Sequence, residues 1–264
     1  MICSKCGPGN HGDDACPIRA GDKDKQRLTP EELTSESDWI DFVVHYWNNM
    51  NPDSNYDIND KGIRQAALSL INNQWGERMT KEKFAKIHFR GIKDNNKLIA
   101  TAAIWIPEDV SQPAYLGALT VDNAYRARGL SKKFQIEADS IARQAGCQSI
   151  ETAVNGANPA ALKTELSAGY RIIKCTDYKK LPEDAPDYDP GGSYDLIKDI
   201  NPKEKIIGNY DSRKVRFSAY RETEKLIKDN WEGVGMEYNG DKDEKTDNNP
   251  ENWVLIFEKA REKK

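Results

Sequence analysis

Four side chains near the start of the chain have the types and the spacing of a metal site. They follow the pattern Cys-x2-Cys-x4-His-x4-Cys within "CSKCGPGNHGDDAC", at Cys3, Cys6, His11 and Cys16. Three thiolates and one imidazole fill the four tetrahedral positions of Zn²⁺ and leave no position open for a substrate. The pattern therefore predicts a structural zinc site, in which metal binding and folding of a short segment are one event.

A second stretch, "LGALTVDNAYRARGLSKKF", has the pattern of an anion site. We expect a strand that ends at Val121, a turn, and then a helix that opens with "RARGLS". The free amides of a helix N-terminus attract anions, and Gly129 lets the backbone approach one closely. Such a loop, flanked by arginine, suits a pyrophosphate, although similar junctions also occur as purely structural features.

These residues resemble the GNAT family of N-acetyltransferases. That family has an L-x-V strand end followed by R/Q-x-x-G-x-G/A at the start of a helix. The chain matches these positions with Leu119, Val121, Arg126 and Gly129, and it departs from them at Ser131, which stands in place of Gly or Ala.

A second motif, "NPAALKTELSAGY", strengthens the resemblance. It has an Asn, an Ala three residues later and a Gly-aromatic pair, at Asn158, Ala161, Gly169 and Tyr170. With the elements that precede the two motifs, the resemblance covers roughly residues 30–200.

The resemblance implies acetyl-CoA binding and acetyl transfer to a primary amine. Main-chain groups around Leu119 and Val121 would pair with the pantetheine arm, and Asn158 would lie close to the thioester. The loop amides would hold the pyrophosphate with two arginines nearby. That set comprises Arg126, Ala127, Arg128, Gly129, Leu130 and Ser131.

The catalytic residues match the family less well. Many family members have, seven residues after the Asn, a Tyr that protonates the departing thiolate, and this chain has Glu165 there. A carboxyl group with an ordinary pKa of about 4.3 is a poor proton donor at neutral pH unless burial raises that pKa. Glu165 is therefore either the acid or an exposed charge on a short helix. Available general bases are Glu151, Glu108 and Asp109.

A catalytically silent fold, used only for binding, is the alternative to an enzyme. In that case the N-terminal cysteine segment would do the functional work.

The cysteine segment resembles the CCHC zinc knuckle, including Gly7 after the second Cys. Knuckles that bind nucleic acid usually have large apolar residues after the first Cys and after the His, where bases stack. This chain has Ser4 and Gly12 there. The segment is predicted to be a targeting module that contacts either nucleic acid or a partner protein.

Acidic residues crowd one loop between two predicted strands. They are Glu183, Asp184, Asp187 and Asp189. In GNAT proteins this loop lies near the acceptor channel, where negative potential would favour a cationic, amine-bearing acceptor. The other interpretation is a solvated acidic loop. The acceptor is expected to be a small molecule, a protein or a modified nucleic acid.

The elements that position these residues follow from hydrophobic periodicity and turn signals. Helices are predicted within "SESDWIDFVVHYWNNM", from Asp60 to Trp75, within "GLSKKFQIEADSIARQAG" and from Pro159 to about Ala168. Strands are predicted at "FAKIHFRGI", "KLIATAAIWI", "AYLGALTV", "SIETAV", "YRIIKCTDY" and "YDLIKDI". The fold class is α/β (α+β), with a mixed, mostly antiparallel sheet flanked by helices.

The predicted domains are a zinc knuckle at 1–20, a linker at 21–34, a GNAT-like domain at 35–200 and an α/β extension or cap at 201–264. His45 and His88 are expected to be packed or exposed, not ligands. Three aromatic residues near the C-terminus are predicted to be core or to line an acceptor groove: Trp231, Tyr238 and Trp253.

The composition limits the partners and the compartment. The net charge of −4 does not suggest a protein that coats nucleic acid. No apolar run approaches the ~20 residues that span a bilayer, and no basic segment precedes an apolar core. Five cysteines, an odd number, favour a reducing, cytoplasmic setting without disulfides. Outside the opening stretch, Cys147 and Cys175 are expected to be small core residues.

Overall fold

A computed structural model describes residues 28–51, 53–176, 192–201, 210–239 and 252–260. Two predicted clusters lie outside these ranges: the zinc ligands Cys3, Cys6, His11 and Cys16, and the acidic residues Glu183, Asp184, Asp187 and Asp189.

The described residues form both α-helices and β-strands. The α-helices are α1 (Glu36–Met50), α2 (Lys61–Ser69), α3 (Gly76–Glu82), α4 (Leu130–Ala145), α5 (Pro159–Ser167) and α6 (Tyr220–Lys228). The strands are β1 (Glu31–Glu32), β2 (Phe84–Asp94), β3 (Lys97–Pro107), β4 (Ala114–Val121), β5 (Ser149–Asn155), β6 (Arg171–Thr176), β7 (Ser193–Asp199), β8 (Tyr210–Arg216), β9 (Glu232–Tyr238) and β10 (Trp253–Ala260).

The chain divides into two compact units. The first comprises the described residues up to Gln74, with His88–Ala102 and Ala118–Phe134. The second comprises Trp75–Ile87, Ala103–Gly117 and the described residues from Gln135 onward.

In the first unit, helix α1 lies with strand segments in the order β1-β2-β3-β4. The helix begins at a capping box, in which Ser35 Oγ accepts from the Asp38 amide at 3.1 Å and the Asp38 side chain accepts from the Ser35 amide. Its apolar face packs on β2, with the Phe42 and Phe89 ring centroids 5.1 Å apart. This core covers one face of the hairpin that leads into β4.

The hairpin between β2 and β3 turns at two residues with left-handed backbones. Asn95 has φ +49° and Asn96 has φ +63°, the signature of a type I′ turn that suits the twist of paired strands. The predicted hairpin is confirmed.

The end of the predicted linker differs from the expectation of a flexible segment. Leu28 and Leu33 are buried, and β1 pairs antiparallel with β2, with Glu31 opposite Gly91. The physical reason is burial of apolar surface, since two leucines flank the short strand.

In the second unit the strand segments follow the order β2-β3-β4-β5-β7-β6-β9-β10-β8. Strands β4 and β5 pair in parallel, through Ala114 with Ile150 and Tyr115 with Glu151. Antiparallel pairing joins β5 to β7, β7 to β6, β6 to β9, β9 to β10 and β10 to β8. The mostly antiparallel α/β sheet predicted from the sequence is confirmed, and β8, β9 and β10 extend it.

The predicted helix from Asp60 to Trp75 continues further than expected. A π-helical turn, Leu70–Trp75, follows α2, and α3 then runs to Glu82. Among the described residues, no helix combines the length and apolar character that crossing a bilayer requires.

Ser35→Ala is expected to lower the free energy of unfolding by about 1 kcal/mol, because the Asp38 amide loses its capping acceptor. Urea denaturation measures the change. Ser167→Ala is the control, since that exposed hydroxyl only bonds the Lys163 carbonyl within α5. Equal losses in the two variants would show that the capping box does not stabilise α1.

Candidate functional site

Strand β4 contains a residue with an unfavourable backbone conformation. Ala118 has φ +49°, a left-handed conformation that costs a residue with a Cβ roughly 1–2 kcal/mol. A single such residue in a strand is typical of a bulge, which bends the strand and redirects the side chains after it. Leu119 and Val121, predicted to meet the cosubstrate, follow this bend directly.

Backbone conformation alternates in the loop between β4 and α4. Arg126 has φ −63°, whereas Ala127 and Gly129 have φ +59° and +77°. Left-handed residues in a turn are typical of loops whose backbone N–H groups face an anion. A Cβ on Gly129 would meet no atom within 4 Å, so the space above that residue is open.

The start of α4 adds unpaired amides to the same loop. The Lys133 amide donates to the Gly129 carbonyl at 3.3 Å, and the amides of the first turn before it have no acceptor within the helix. Leu130 is buried and anchors this turn, while Ser131 is half-buried. The helix N-terminus therefore presents donors where the loop is open.

Both arginines are held beside the loop by local contacts. Arg126 Nε donates to the Val121 carbonyl at 3.1 Å, and the Arg128 guanidinium lies over the Tyr125 ring at 4.8 Å. The Tyr125 hydroxyl in turn donates to Asp94 at 2.7 Å. The two positive charges are thus fixed at the loop and exposed to solvent.

In the second unit, Asn158 caps helix α5. Its Oδ1 accepts from the Ala161 amide at 3.0 Å, and Pro159 occupies the first helical position. The Asn-x-x-Ala spacing is therefore explained locally as a helix start.

Glu165, on α5, is buried and not exposed, so the interpretation as a solvated charge is wrong. It has 6% of its surface exposed and lies beside Leu162 and Leu166 on the buried face of the helix. Gln135 Nε2, on α4, donates to Glu165 Oε2 at 2.9 Å.

The surroundings of Glu165 change its proton affinity. Burial raises the pKa of Glu165 from its usual 4.5 to about 7, against the lowering effects of the Gln135 hydrogen bond and the Lys198 charge. The Lys198 ammonium lies 2.6 Å from Asp139 Oδ1, and this partner neutralises it. A carboxyl group in this setting is partly protonated at neutral pH and can give or take a proton there.

The three candidate bases have different surroundings. Burial, followed by the charge of Asp195, raises the pKa of Glu151. Hydrogen bonds from Ser111 lower the pKa of Asp109, and Glu108 is exposed. Among these three, Glu151 has the surroundings expected of a general base.

Sequence reasoning missed the role of His45. It lies on α1 with 9% of its surface exposed, and its Nε2 lies 2.9 Å from Asp122 Oδ1, directly after β4. No local pattern could reveal this pair, because 77 residues separate its members.

Several other predicted roles are resolved by burial. Cys147 and Cys175 are buried, as expected. Trp253 is 2% exposed and packs against Tyr238, with ring centroids 5.0 Å apart, which agrees with the core alternative for Trp253. Trp231 lies under the Arg213 guanidinium.

In the part of the chain that the structure describes, no group of three or more His, Cys, Asp or Glu side chains is arranged to hold a metal ion. This finding does not extend to the N-terminal cysteine segment.

Glu165→Gln is expected to change how stability depends on pH. The folded-state pKa of about 7 exceeds the usual 4.5, so the folded protein holds this proton more tightly, and wild-type stability falls as pH rises between these values. From about pH 5 to about pH 8, the wild type should lose up to about 3 kcal/mol relative to Glu165→Gln.

Chemical denaturation at several pH values measures this difference. Glu77→Gln, at an exposed carboxylate on α3, is the control and should follow the wild-type profile. Parallel profiles for Glu165→Gln and the wild type would contradict a raised proton affinity at Glu165.

Several solved structures of acetyltransferases match part of this chain. One is a GNAT-family acetyltransferase from Staphylococcus aureus Mu50, with 14% identity, a TM-score of 0.46, and coverage of 66% of this chain and 99% of that one. Another is the ribosomal-protein-S18-alanine N-acetyltransferase from Escherichia coli, with 14% identity, a TM-score of 0.44, and coverage of 69% and 99%. A third is yncA from Salmonella typhimurium with its cofactor acetyl-CoA, with 11% identity, a TM-score of 0.46, and coverage of 67% and 96%.

No curated protein matches the sequence. The sequence profile of the Acetyltransferase (GNAT) family matches residues 54–167. This span includes the bent strand, the left-handed loop, the start of α4 and the capped helix α5 with Glu165. The match supports an acetyltransferase domain of the GNAT type at residues 54–167 of this chain.

Proposed function

We propose that this chain is an acetyl-CoA-dependent N-acetyltransferase that acylates a primary amine. The observation that carries the proposal is the loop at Ala127 and Gly129, where left-handed residues and a helix N-terminus combine directly after β4. The family resemblance assigns the pyrophosphate of the cosubstrate to this loop, which lies within the matched span.

The residues present suit the pyrophosphate of acetyl-CoA. The loop supplies main-chain donors, Gly129 leaves open space for a phosphate oxygen, and Arg126 and Arg128 add positive charge. We assign the pyrophosphate to the amides from Ala127 to Ser131. By the family resemblance, the pantetheine arm would pair with the main chain at Leu119 and Val121, and Asn158 would lie near the thioester.

Acetyl-CoA supplies an activated acetyl group as a thioester. The acceptor must reach the thioester as a neutral amine, so its ammonium must first lose a proton, for which Glu151 is our candidate base. As the new C–N bond forms and the C–S bond breaks, the departing thiolate needs a proton. We assign this proton to the Glu165 carboxyl group, whose pKa of about 7 lets it donate near neutral pH.

The acceptor class follows from charge. The acidic residues that the sequence places between β6 and β7 would attract a cationic amine on a small molecule, a protein or a modified nucleic acid. We place the reaction in the cytoplasm, because an odd number of cysteines, five, favours a reducing compartment without disulfides.

Acetyl-CoA is expected to raise the Tm of the full chain, and an amine panel should include an acceptor that releases free thiol. A chain that acetyl-CoA does not stabilise would contradict the proposal. Stabilisation without thiol release on any amine would favour the catalytically silent alternative.

Gly129→Ala should weaken acetyl-CoA binding roughly 5- to 30-fold, because alanine pays about 1–2 kcal/mol for the left-handed conformation that shapes the loop. Calorimetric titration measures the affinity. Gly146→Ala is the matched control: Gly146 has φ +94° and lies outside the loop, at the end of α4. The Gly146→Ala variant should bind acetyl-CoA with wild-type affinity. Equal weakening in both variants would argue against the loop as the binding element.

We also propose that residues 1–20 bind one structural zinc ion through Cys3, Cys6, His11 and Cys16. The support is the spacing of these four ligands in the sequence. The knuckle would act as a targeting module that contacts nucleic acid or a partner protein.

Elemental analysis of the purified chain is expected to give about one zinc per chain. Cys6→Ser and His11→Ala should each abolish most of this content, because each removes one of four ligands. Cys175→Ser, at a buried thiol in β6, is the control and should retain zinc. Full zinc content in both knuckle variants would refute the assignment.

A further inference from the structure

We propose that Thr101 is a positioning residue that, together with Thr120 and His45, holds Ala118 in its left-handed conformation and so fixes the path of β4. The inference rests on the proposed function in one respect: that function assigns the β4 main chain after Ala118 to the pantetheine arm of acetyl-CoA.

A buried polar chain runs from β3 to the bend in β4. The Thr101 hydroxyl is fully buried and donates to the Ala118 carbonyl at 3.3 Å. Thr101 Oγ1 lies 2.7 Å from Thr120 Oγ1, which in turn lies 3.2 Å from Nδ1 of His45. Side chains of β3, β4 and α1 therefore meet at Ala118, a strand residue with a left-handed backbone.

The same chain reaches the far end of the segment. His45 Nε2 lies 2.9 Å from Asp122 Oδ1, and Asn49 Nδ2 donates to the same oxygen at 3.1 Å. The Asp122 amide donates to the Ile99 carbonyl at 2.9 Å. Ala118 and Asp122 are thus both held, and Leu119, Thr120 and Val121 lie between them.

The number of donor hydrogens links the four hydrogen bonds of this network to one another. Each threonine hydroxyl has one hydrogen. If Thr101 donates to the Ala118 carbonyl, Thr120 must donate to Thr101, and His45 must then donate from Nδ1 to Thr120. Since Asp122 only accepts when ionised, His45 must also donate from Nε2. All four contacts are satisfied together only when His45 carries both protons.

Neutral His45 leaves one contact unsatisfied. Burial lowers the pKa of His45, although Asp122 acts in the opposite direction and Lys97, whose Nζ lies 3.9 Å from Asp122 Oδ2, adds to the lowering. When His45 keeps its Nε2 proton for Asp122, Nδ1 becomes an acceptor for Thr120. The single hydroxyl hydrogen of Thr101 can then go either to Thr120 Oγ1 or to the Ala118 carbonyl, but not to both. The hold on Ala118 is therefore strongest with protonated His45.

Thr101→Val in the full chain tests the inference, because it keeps the shape of the side chain and removes the donor to Ala118. Acetyl-CoA affinity should fall about 3- to 10-fold, in line with the loss of one hydrogen bond. In an Ala118→Gly background the same substitution should change affinity less than twofold, since glycine adopts φ > 0 without strain.

The control is Thr223→Val in α6. Thr223 is fully buried, and its hydroxyl has no hydrogen-bond partner among the described residues. This variant should keep wild-type affinity. A further readout is pH: the ratio of wild-type to Thr101→Val affinity should grow as pH falls through the titration of His45, which a purely structural loss would not produce.

Equal affinities for Thr101→Val and Thr223→Val, or no rescue by Ala118→Gly, would overturn the inference. A chain without acetyl-CoA affinity would instead overturn the proposed function. Chemical denaturation without ligand then still tests the role of Thr101. Thr101→Val should lower the free energy of unfolding more in the wild-type background, which has Ala118, than in the Ala118→Gly background. Equal losses in the two backgrounds would contradict the positioning role.

Discussion

A left-handed backbone at Ala118, Ala127 and Gly129 is the constraint on which the site depends. In the two alanines, which have a Cβ, this conformation is energetically unfavourable. The surrounding contacts offset this cost, through the buried threonines at Ala118 and through the anchored helix start beyond Ala127. The path of β4 and the conformation of the loop are therefore supported by contacts within the chain itself.

Burial has the second large effect, because it changes what a carboxyl group can do. Many GNAT proteins have a tyrosine at the position of Glu165. An ordinary carboxyl group would be ionised at neutral pH. Packing against α4 and the Gln135 amide places Glu165 in a setting where its proton is held to about pH 7. Under the proposed function, this carboxyl group would donate a proton at a pH where an ordinary carboxyl group is ionised.

Local patterns in the sequence predict the elements and the loop, because their causes are local. Turn residues, the capping box at Ser35 and the glycine before α4 all act within a few positions. Long-range contacts decide the rest. The burial of Glu165 depends on Gln135, thirty residues earlier, and the network at Ala118 depends on His45 and Thr101. Strand β1 is two residues long and forms only because β2 offers a partner, so periodicity cannot reveal it.

The proposed function depends on binding of the acetyl-CoA pyrophosphate by the main chain between β4 and α4. Amide resonances of the ¹⁵N-labelled full chain, followed during titration with acetyl-CoA, test it most directly. If this main chain binds the pyrophosphate, the amide resonances of Ala127, Gly129 and Ser131 should shift strongly. Their shifts should saturate as the bound fraction of the protein reaches its maximum. Saturable binding that leaves these three amides unshifted while others move would contradict it.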